Sequence, residues 1–595
     1  MRKLLVLILF AAAAHADDSR IARVEKGLLP PVLIDGGPVW TIDERMRYYN
    51  IPGLSVAVVD DGKVVWAKGY GLADVDSGRP VTTGTMFLAG SISKPVTAMA
   101  AVDLVERGVV PFDADINTIL RSWQLPSNEL TAKTPVTMRQ LLSHSAGTTV
   151  HGFPGYPRRF PRPTVRQVLD GEPPANTVAV RVDLLPNTQF RYSGGGTTIA
   201  QQALSDVTRT GFAALMRRHV LGPLGMASST YAQPLPAPYH ARAARAYRPG
   251  QRAIPGGWHV YPEAAAAGLW TTPSDLARVI VEMHDALNGR ESRVLSIDGA
   301  RLMLTPRLQA GPTSRIGIGF FIEDRRGSKY FGHDGVDEGF DAMLTATIDG
   351  SKGLVMMANS NGSFNLMAEV ARAVAREYGW PGALNVAPPV QQRVPEELLT
   401  RVPGRYRVDA NRVVSISRKD DALEIETLLG PQRLYLLTDG TFARGDRDER
   451  FRPADAGLEV IAGGKTVVAA RTEDPLMPLE LLAAGRMDDA IAFYRKTPEQ
   501  TAVNRFGFTL LRIGRKADAL RLFELNTELH PEAANTWDSL AEALVEMKEL
   551  DRAAAATRKA LALVDGDKTL DERTRGFLKA NAAIRLHEIR EAQRR

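Results

Sequence analysis

The hydrophobic periodicity of the chain changes twice along its 595 residues, and each change limits what that region can fold into. Up to about residue 380, strand-like apolar runs are mixed with helical stretches. Residues 396–472 alternate apolar and polar positions at period two, which is typical of a small antiparallel β domain. Beyond residue 475 the pattern is helical and repeats. The sequence therefore predicts three folded regions.

Two pairs of apolar runs, one near each end of the first region, predict an antiparallel sheet. The runs at 54–59 and 63–67 flank an Asp-Asp-Gly turn, and those at 340–348 and 354–358 flank an Asp-Gly-Ser turn. Apolar runs around an Asp-Gly are typical of β-hairpins. The intervening stretch is largely helical, so we expect an α+β fold whose sheet is closed by both ends of the region.

The last region contains segments that repeat at a fixed distance. Residues 511–519 and 545–553 carry similar residues 34 positions apart, and an earlier copy begins at Leu482. This helix-turn-helix period resembles tetratricopeptide repeats, although Lys548 replaces the turn glycine present at Gly514. Unrelated helical hairpins are the alternative. Such arrays present a binding face or pack on a neighbouring domain, so a protein partner is expected here.

The first sixteen residues have the pattern of a secretory signal peptide. Arg2 and Lys3 precede an apolar run at 4–14, and Ala14-His15-Ala16 is a small-x-small cleavage site. The run is too short to span a membrane, and an uncleaved anchor is the alternative. We therefore expect a secreted, periplasmic protein without stable membrane insertion after cleavage.

Composition excludes several classes of chemistry and partner. The chain has no cysteine, which excludes disulfides, a cysteine nucleophile and thiolate metal sites. Its net charge of +6 is small for this length and is spread out, so we expect no nucleic-acid partner. No His-Glu-x-x-His or other compact metal-ligand motif is present, so we expect neither a metal nor a cofactor.

The motif with the most chemical content is Ser91-Ile92-Ser93-Lys94. It follows an apolar run at 86–89 and opens an apolar helix that we predict over 95–106. Residues i and i+3 share one face of a helix, so Lys94 can place its amine beside the Ser91 hydroxyl. Burial disfavours the charged form of an amine, and a neutral Lys94 could take the serine proton. The helix N-terminus would help to hold an oxyanion beside Ser91.

Two downstream segments extend this motif into a constellation. Tyr192 lies on a glycine-rich loop, where it could carry a proton between Ser91 and a leaving group. His333 precedes Gly335, which would let the backbone run close to a substrate. His144 lies between two serines, but adjacent residues seldom reach the geometry of a Ser-His pair, so a structural turn is favoured there.

Ser91-Ile-Ser-Lys94, Tyr192-Ser-Gly194 and His333-Asp-Gly335 resemble, in the same order, the three motifs of serine β-lactamases and penicillin-binding proteins. The most similar branch looks like the class C group, which includes esterases and D-amino-acid peptidases. By this resemblance Ser91 is acylated, and Lys94 and Tyr192 share the role of base. The amides of Ser91 and Val336 would form the oxyanion hole.

Two departures from that family pattern bear on the substrate. Gly194 stands where the second motif usually ends in Asn, so it has no side chain to contact a substrate amide. His333 stands where true class C β-lactamases have Lys, and a neutral histidine binds a carboxylate less strongly than an ammonium. Both changes favour esterase or peptidase members of the family.

The resemblance implies a β-lactamase/transpeptidase-like antiparallel sheet with a helical portion, followed by the small all-β domain and the all-α repeats. The expected boundaries are 1–16 for the signal peptide, 17–385 for the serine hydrolase, 396–472 for the β domain and 475–595 for the repeats. The expected activity is hydrolysis of small esters, D-amino-acid peptides or β-lactams through an acyl-enzyme. The alternatives are a penicillin-binding protein that deacylates slowly, and a degenerate hydrolase that serves as a binding module.

Overall fold

The computed structural model describes residues 18–594, except 392, 410, 411 and 464. The signal peptide predicted at 1–16 lies outside the described residues. Within the described part, every helix is either too short or too polar to cross a membrane.

The chain divides into two compact units, which do not follow one another simply in sequence. Among the described residues, the first consists mainly of Asp43–Met367 and the stretch that begins at Asp571. The second consists of Arg20–Ile42 and Ala368–Leu570. The C-terminal stretch therefore belongs to the first unit, although the helical repeats precede it.

A nine-stranded antiparallel sheet forms the centre of the first unit. Its strands are β1 Gly53–Asp60, β2 Lys63–Asp74, β3 Arg79–Pro80, β4 Leu308–Gln309, β5 Ser314–Ile316, β6 Phe321–Arg325, β7 Ser328–Asp337, β8 Phe340–Thr347 and β9 Gly353–Ala358. Their spatial order is β4-β5-β6-β7-β8-β9-β1-β2-β3. Leu54 of β1 lies opposite Ala358 of β9, which confirms that both ends of the region close the sheet.

The burial of the strands and the backbone conformation of the turn explain why the predicted hairpins form. β9 is buried along its whole length and β1 along all but its last residue, as continuous apolar runs predict for central strands. Asp61 and Gly62 have φ values of +49° and +66°, and both positions of such a tight hairpin turn need positive φ. The sequence did not predict the strands β4 to β6, because they are short and their pattern is weak.

Helices of the first unit carry or support the motif residues. The three long ones are α1 Ser93–Glu106, α2 Gly194–Thr208 and α3 Pro273–Leu287, of which α3 packs on β1 and β9. The shorter helical segments are Gly90–Ile92, Ile116–Thr118, Glu129–Lys133, Met138–Leu142, Val165–Asp170, Phe212–Met216, Arg217–Leu221, Ala237–Arg242, Ala264–Ala267 and Ile297–Leu304. Two more, Ile42–Tyr49 and Phe364–Glu377, span the boundaries between the units. Three two-stranded pairs complete the elements: Phe87–Leu88 with Trp270–Thr271, Tyr156–Pro157 with His259–Val260, and Tyr247–Arg248 with Arg252–Ala253.

The second unit contains a closed eight-stranded antiparallel barrel, as the period-two pattern predicted for a small β domain. Its strands are β10 Gly404–Asp409, β11 Arg412–Lys419, β12 Ala422–Ile425, β13 Gln432–Leu436, β14 Phe442–Arg444, β15 Glu449–Ala454, β16 Gly457–Ala462 and β17 Lys465–Arg471. Helix Glu396–Arg401 precedes it, and its interior is filled by residues such as Tyr406, Phe442 and Phe451.

Six helices follow the barrel in the second unit. They are α4 Pro478–Ala483, α5 Met487–Lys496, α6 Gln500–Arg512, α7 Lys516–Leu529, α8 Ala534–Glu546 and α9 Leu550–Leu563. The starts of α6 and α8, and those of α7 and α9, are 34 residues apart, as the sequence period predicts. Lys548 has a φ of +61° at the turn where Gly514 has +83°, so it keeps the turn without a glycine. Membership of the tetratricopeptide class stays a prediction.

Helix α10, Glu572–Gln593, packs within the first unit. Glu588 on this helix lies between Arg248 and His259, at 3.6 and 3.8 Å. The His587 ring meets the Phe160 ring edge-on, with centroids 5.2 Å apart. A mixture of ionic and aromatic contacts therefore holds α10 against the rest of the first unit.

Candidate active site

Ser91 lies in a single 3₁₀ turn, Gly90–Ile92, that runs directly into α1. Helix α1 begins at Ser93 rather than at the predicted Pro95, and its residues up to Leu104 are all buried. In a 3₁₀ turn, side chains three positions apart are eclipsed. Lys94 Nζ accordingly donates a hydrogen bond of 2.8 Å to Ser91 Oγ, and the predicted pair is brought together.

A second contact fixes the Lys94 amine from the opposite side. Nζ donates to the carbonyl oxygen of Ala266 at 2.8 Å. Ala266 belongs to the helix Ala264–Ala267, which consists of four buried alanines. Because alanine has the smallest side chain after glycine, this backbone can come close to α1. The amine is thus held between a hydroxyl and a carbonyl.

Two glycines allow β7 to approach the nucleophile. A Cβ atom on Gly335 would lie 2.0 Å from the Ala89 carbonyl oxygen and 3.3 Å from the Ser91 amide nitrogen. A Cβ on Gly90, whose φ is +52°, would lie 2.5 Å from the Val336 amide nitrogen. Any side chain at either position would push the strand away from Ser91. The glycines therefore bring the amides of Ser91 and Val336, the two predicted oxyanion donors, to the same place.

Tyr192 lies beside Lys94 and is surrounded by rings. Its ring centroid is 5.0 Å from Lys94 Nζ and 4.3 Å from the His144 ring. The His151 and His333 rings lie at 4.8 and 6.0 Å. The structure thus brings Tyr192 to the predicted site, with its ring face toward the amine.

His144 has the turn geometry expected of it, with a φ of +51°. Its Nδ1 accepts the backbone N–H of Ser193 at 3.2 Å, which ties it to the loop carrying Tyr192. Burial, together with the positive charge of Lys94, holds the pKa of His144 well below its ordinary value. Its ring therefore supports Tyr192 as a neutral group.

Gly194 explains why the family's asparagine is absent. A Cβ at this position would lie 3.0 Å from the Phe153 ring and 3.1 Å from the His151 carbonyl oxygen. The Gly194 amide donates to that same oxygen at 2.9 Å. The segment with His151 thus approaches the start of α2 so closely that a side chain at position 194 would require a small shift, and the His151 ring lies beside Tyr192.

His333 is buried and faces the same side of β7 as Gly335, since alternate residues of a strand share a face. Its Nδ1 donates to the Asp334 carbonyl oxygen at 2.6 Å, because a carbonyl can only accept. Its Nε2 has no hydrogen-bond partner among the described residues. Burial and the charge of Lys94 lower the pKa of His333 to about 3. His333 therefore presents a neutral acceptor rather than a cation.

Sequence reasoning missed two buried carboxyl groups near these residues, Asp337 and Glu263. Asp337 is the next residue of β7 on the face that carries His333 and Gly335. Glu263 immediately precedes the four alanines that approach Lys94. The period-two alternation of β7, and a single charge beside an alanine run, were the signals that could have found them.

The sequence of this chain is similar to a known family and to several known proteins. The family model described as Beta-lactamase matches residues 41–378. The chain is 26% identical over 367 residues to unguisins hydrolase ungD of Aspergillus violaceofuscus, covering 56% of this chain and only 62% of that protein. It is 23% identical over 460 residues to a D-aminopeptidase of Cereibacter sphaeroides, covering 73% of this chain and 77% of the other.

A solved structure shows a partial likeness. The octameric penicillin-binding protein homologue from Pyrococcus abyssi is 21% identical, with a TM-score of 0.49 over 72% of this chain and 98% of the other. The assignment rests instead on the family model, which spans the strands and helices that carry Ser91, Tyr192 and His333. Because that match covers more than half of the chain, the protein belongs to the beta-lactamase family.

Proposed function

We propose that this protein is a serine hydrolase that forms an acyl-enzyme on Ser91 and prefers acyl groups without a carboxylate. The observation that carries this preference is the neutral His333, whose free Nε2 can accept a hydrogen bond but cannot attract an anion. Small esters and peptides with an N-terminal D-residue fit this description. The relative named as a D-aminopeptidase supports the second of these classes.

The proposed reaction uses Ser91, Lys94 and Tyr192, and it is supported by the hydrogen bond between Ser91 and Lys94 and by the Tyr192 ring beside the amine. Lys94 first releases a proton to solvent, so that its neutral Nζ can act as a base. Ser91 Oγ then attacks the carbonyl carbon while its proton passes to Lys94 Nζ, and the amides of Ser91 and Val336 hold the oxyanion. The C–N or C–O bond then breaks, and the leaving group takes that proton through the Tyr192 hydroxyl. Water attacks the acyl-enzyme in the reverse sense, which releases a carboxylic acid and restores Ser91.

Labelling with a fluorophosphonate probe, followed by peptide mass spectrometry, tests the nucleophile. We expect one adduct, on Ser91, and neither adduct nor turnover in Ser91→Ala. Ser93→Ala is the matched control, because its hydroxyl accepts the Leu269 amide at 3.0 Å and should not affect labelling. An adduct on another residue, or turnover by Ser91→Ala, would contradict the mechanism.

The substrate preference is tested with three chromogenic compounds. We expect higher kcat/KM for p-nitrophenyl acetate and D-alanine p-nitroanilide than for nitrocefin, which carries a carboxylate. Faster turnover of nitrocefin would contradict the role assigned to His333. A burst of one product per enzyme without turnover would support the slowly deacylating penicillin-binding protein instead.

Export and a protein partner are further parts of the proposal. Export rests on Arg2, Lys3 and the apolar run at 4–14, which together have the composition of a signal peptide. A partner is proposed for the α4–α9 repeats, because stacked helix pairs with a 34-residue spacing commonly form binding surfaces. Pull-down with the full chain, with and without substitutions on the exposed faces of these helices, would test the second part.

A further inference from the structure

The side chains of Asp337 and Glu263, called here the carboxyl pair, are buried with too few hydrogen-bond partners for their oxygens. Asp337 is 4% exposed and Glu263 is fully buried. Both carboxylate oxygens of Asp337 and Oε2 of Glu263 have no hydrogen-bond partner among the described residues. Oε1 of Glu263 has only a long contact of 3.5 Å with the Tyr156 hydroxyl. Buried polar atoms are normally paired, so these three unpaired acceptors indicate missing donors.

Electrostatics around the carboxyl pair point to a missing cation. Burial raises the pKa of Asp337 well above its ordinary value, and only the charge of Lys94 and the nearby Gly90 amide oppose this effect. Burial also raises the pKa of Glu263 to about 8. Glu338 and Glu263 add negative charge around Asp337. A second positive group would relieve this imbalance.

The position of Asp337 relates the carboxyl pair to the reacting carbonyl. Asp337 follows Val336, whose amide is a predicted oxyanion donor, and lies on the face of β7 that approaches Ser91. Asp337 and Gly335 are two residues apart in the strand, so their Cα atoms are separated by about 7 Å. Glu263 adjoins the helix whose Ala266 carbonyl binds Lys94. A group next to the scissile carbonyl could therefore meet both acids.

We infer that the carboxyl pair is a subsite for a primary ammonium on the acyl part of the substrate, adjacent to the scissile carbonyl. This inference rests on the proposed function and narrows it to aminoacyl substrates with a free N-terminus. An ammonium has three N–H donors, which matches the three unpartnered oxygens. An N-acetylated substrate would supply one neutral donor and leave the acids uncompensated.

The test compares D-alanine p-nitroanilide with N-acetyl-D-alanine p-nitroanilide on the full-length protein. We expect the wild type to favour the free amine by at least about 100-fold in kcat/KM. Asp337→Asn and Glu263→Gln should each reduce that ratio by at least about tenfold. Asp334→Asn is the matched control, because Asp334 lies on the opposite, exposed face of the same strand and should keep the ratio.

Three outcomes would overturn the subsite. The first is a wild-type ratio near one. The second is an unchanged ratio in Asp337→Asn, and the third is an unchanged ratio in Glu263→Gln, including the case in which both substrates lose the same factor. Thermal melts show whether each variant is folded, and the wild-type ratio decides the question even if both variants unfold. Failure of the proposed function would give a different result. In that case Ser91 would not be labelled, and the protein would not turn over p-nitrophenyl acetate.

Discussion

The face of β7 that approaches Ser91 carries a buried titratable group at each end, and the two groups differ in their hydrogen bonding. At one end the Nδ1–H of His333 donates a hydrogen bond to the Asp334 carbonyl, and Nε2 is left as a single unpaired acceptor among the described residues. At the other end Asp337, with Glu263, keeps three free acceptors. Gly335, between them, carries the backbone past Ser91.

Burial acts on both ends in the same sense, because it disfavours the charged form of acids and bases alike. The positive charge of Lys94 acts in opposite senses: it lowers the pKa of His333 further, but it opposes the rise at Asp337. One end is therefore firmly neutral, while the other can be ionised by an added cation. The comparison teaches that the charge of one lysine can distinguish the two sides of the site.

The largest effect is expected from removing that lysine. Lys94→Met should lower kcat/KM by about 10³-fold for every substrate, because the proton acceptor of Ser91 is lost. The pKa of His333 should rise, since a nearby positive charge has gone. Kinetics and NMR titration of ¹³C-labelled histidine would measure the two changes.

Lys329→Met, at an exposed position of the same strand, is the control for that variant and should leave both readouts as in the wild type. Activity of Lys94→Met within tenfold of the wild type would remove Lys94 from the mechanism. An unchanged His333 titration would show that the two ends of β7 do not share this charge.

A smaller effect is expected from placing a cation at the neutral end. His333→Lys should raise the acylation rate constant for benzylpenicillin, relative to p-nitrophenyl acetate, by about tenfold, because a charged donor binds a carboxylate more strongly. Stopped-flow acylation kinetics would measure the ratio. His333→Gln stays neutral and should keep the wild-type ratio; an equal increase in both variants would argue against the charge.

The smallest effect concerns stability and pH. Burial raises the pKa of Glu263 from 4.5 to about 8. Between these two pH values Glu263 is therefore protonated in the folded state but ionised in the unfolded state. Stability from this group is complete below pH 4.5 and is lost as the pH rises toward 8. Glu263→Gln should reduce the fall in Tm between pH 6 and pH 9 by about 5 °C.

His333 gives the stability of the protein the opposite dependence on pH. Its pKa is about 3 in the folded state against 6.5 ordinarily, so stability is lost as the pH falls through that window. Melting curves of the wild type and of Glu263→Gln should therefore run parallel below pH 4.5 and diverge progressively between pH 4.5 and 8. A parallel shift at every pH would mean that Glu263 is ionised in the folded protein.

Local patterns predicted the sheet closure, the buried helix behind Ser91 and the contact of Lys94 with the Ser91 hydroxyl. These features depend on residues close in sequence or on long apolar runs. The Ala266 carbonyl, the His151 ring and the carboxyl pair could not be predicted in the same way. Each reaches the site from a distant segment, and its position depends on packing that a single sequence does not encode visibly.

The placement of helix α10 has a consequence for how the protein is made. The catalytic unit contains Asp43–Met367 and Asp571–Arg595, and most of the second unit lies between these stretches. During synthesis, domains generally fold as their segments leave the ribosome. Here the barrel and the repeats leave the ribosome before helix α10, so the first unit can be completed only after residues 368–570 have been translated.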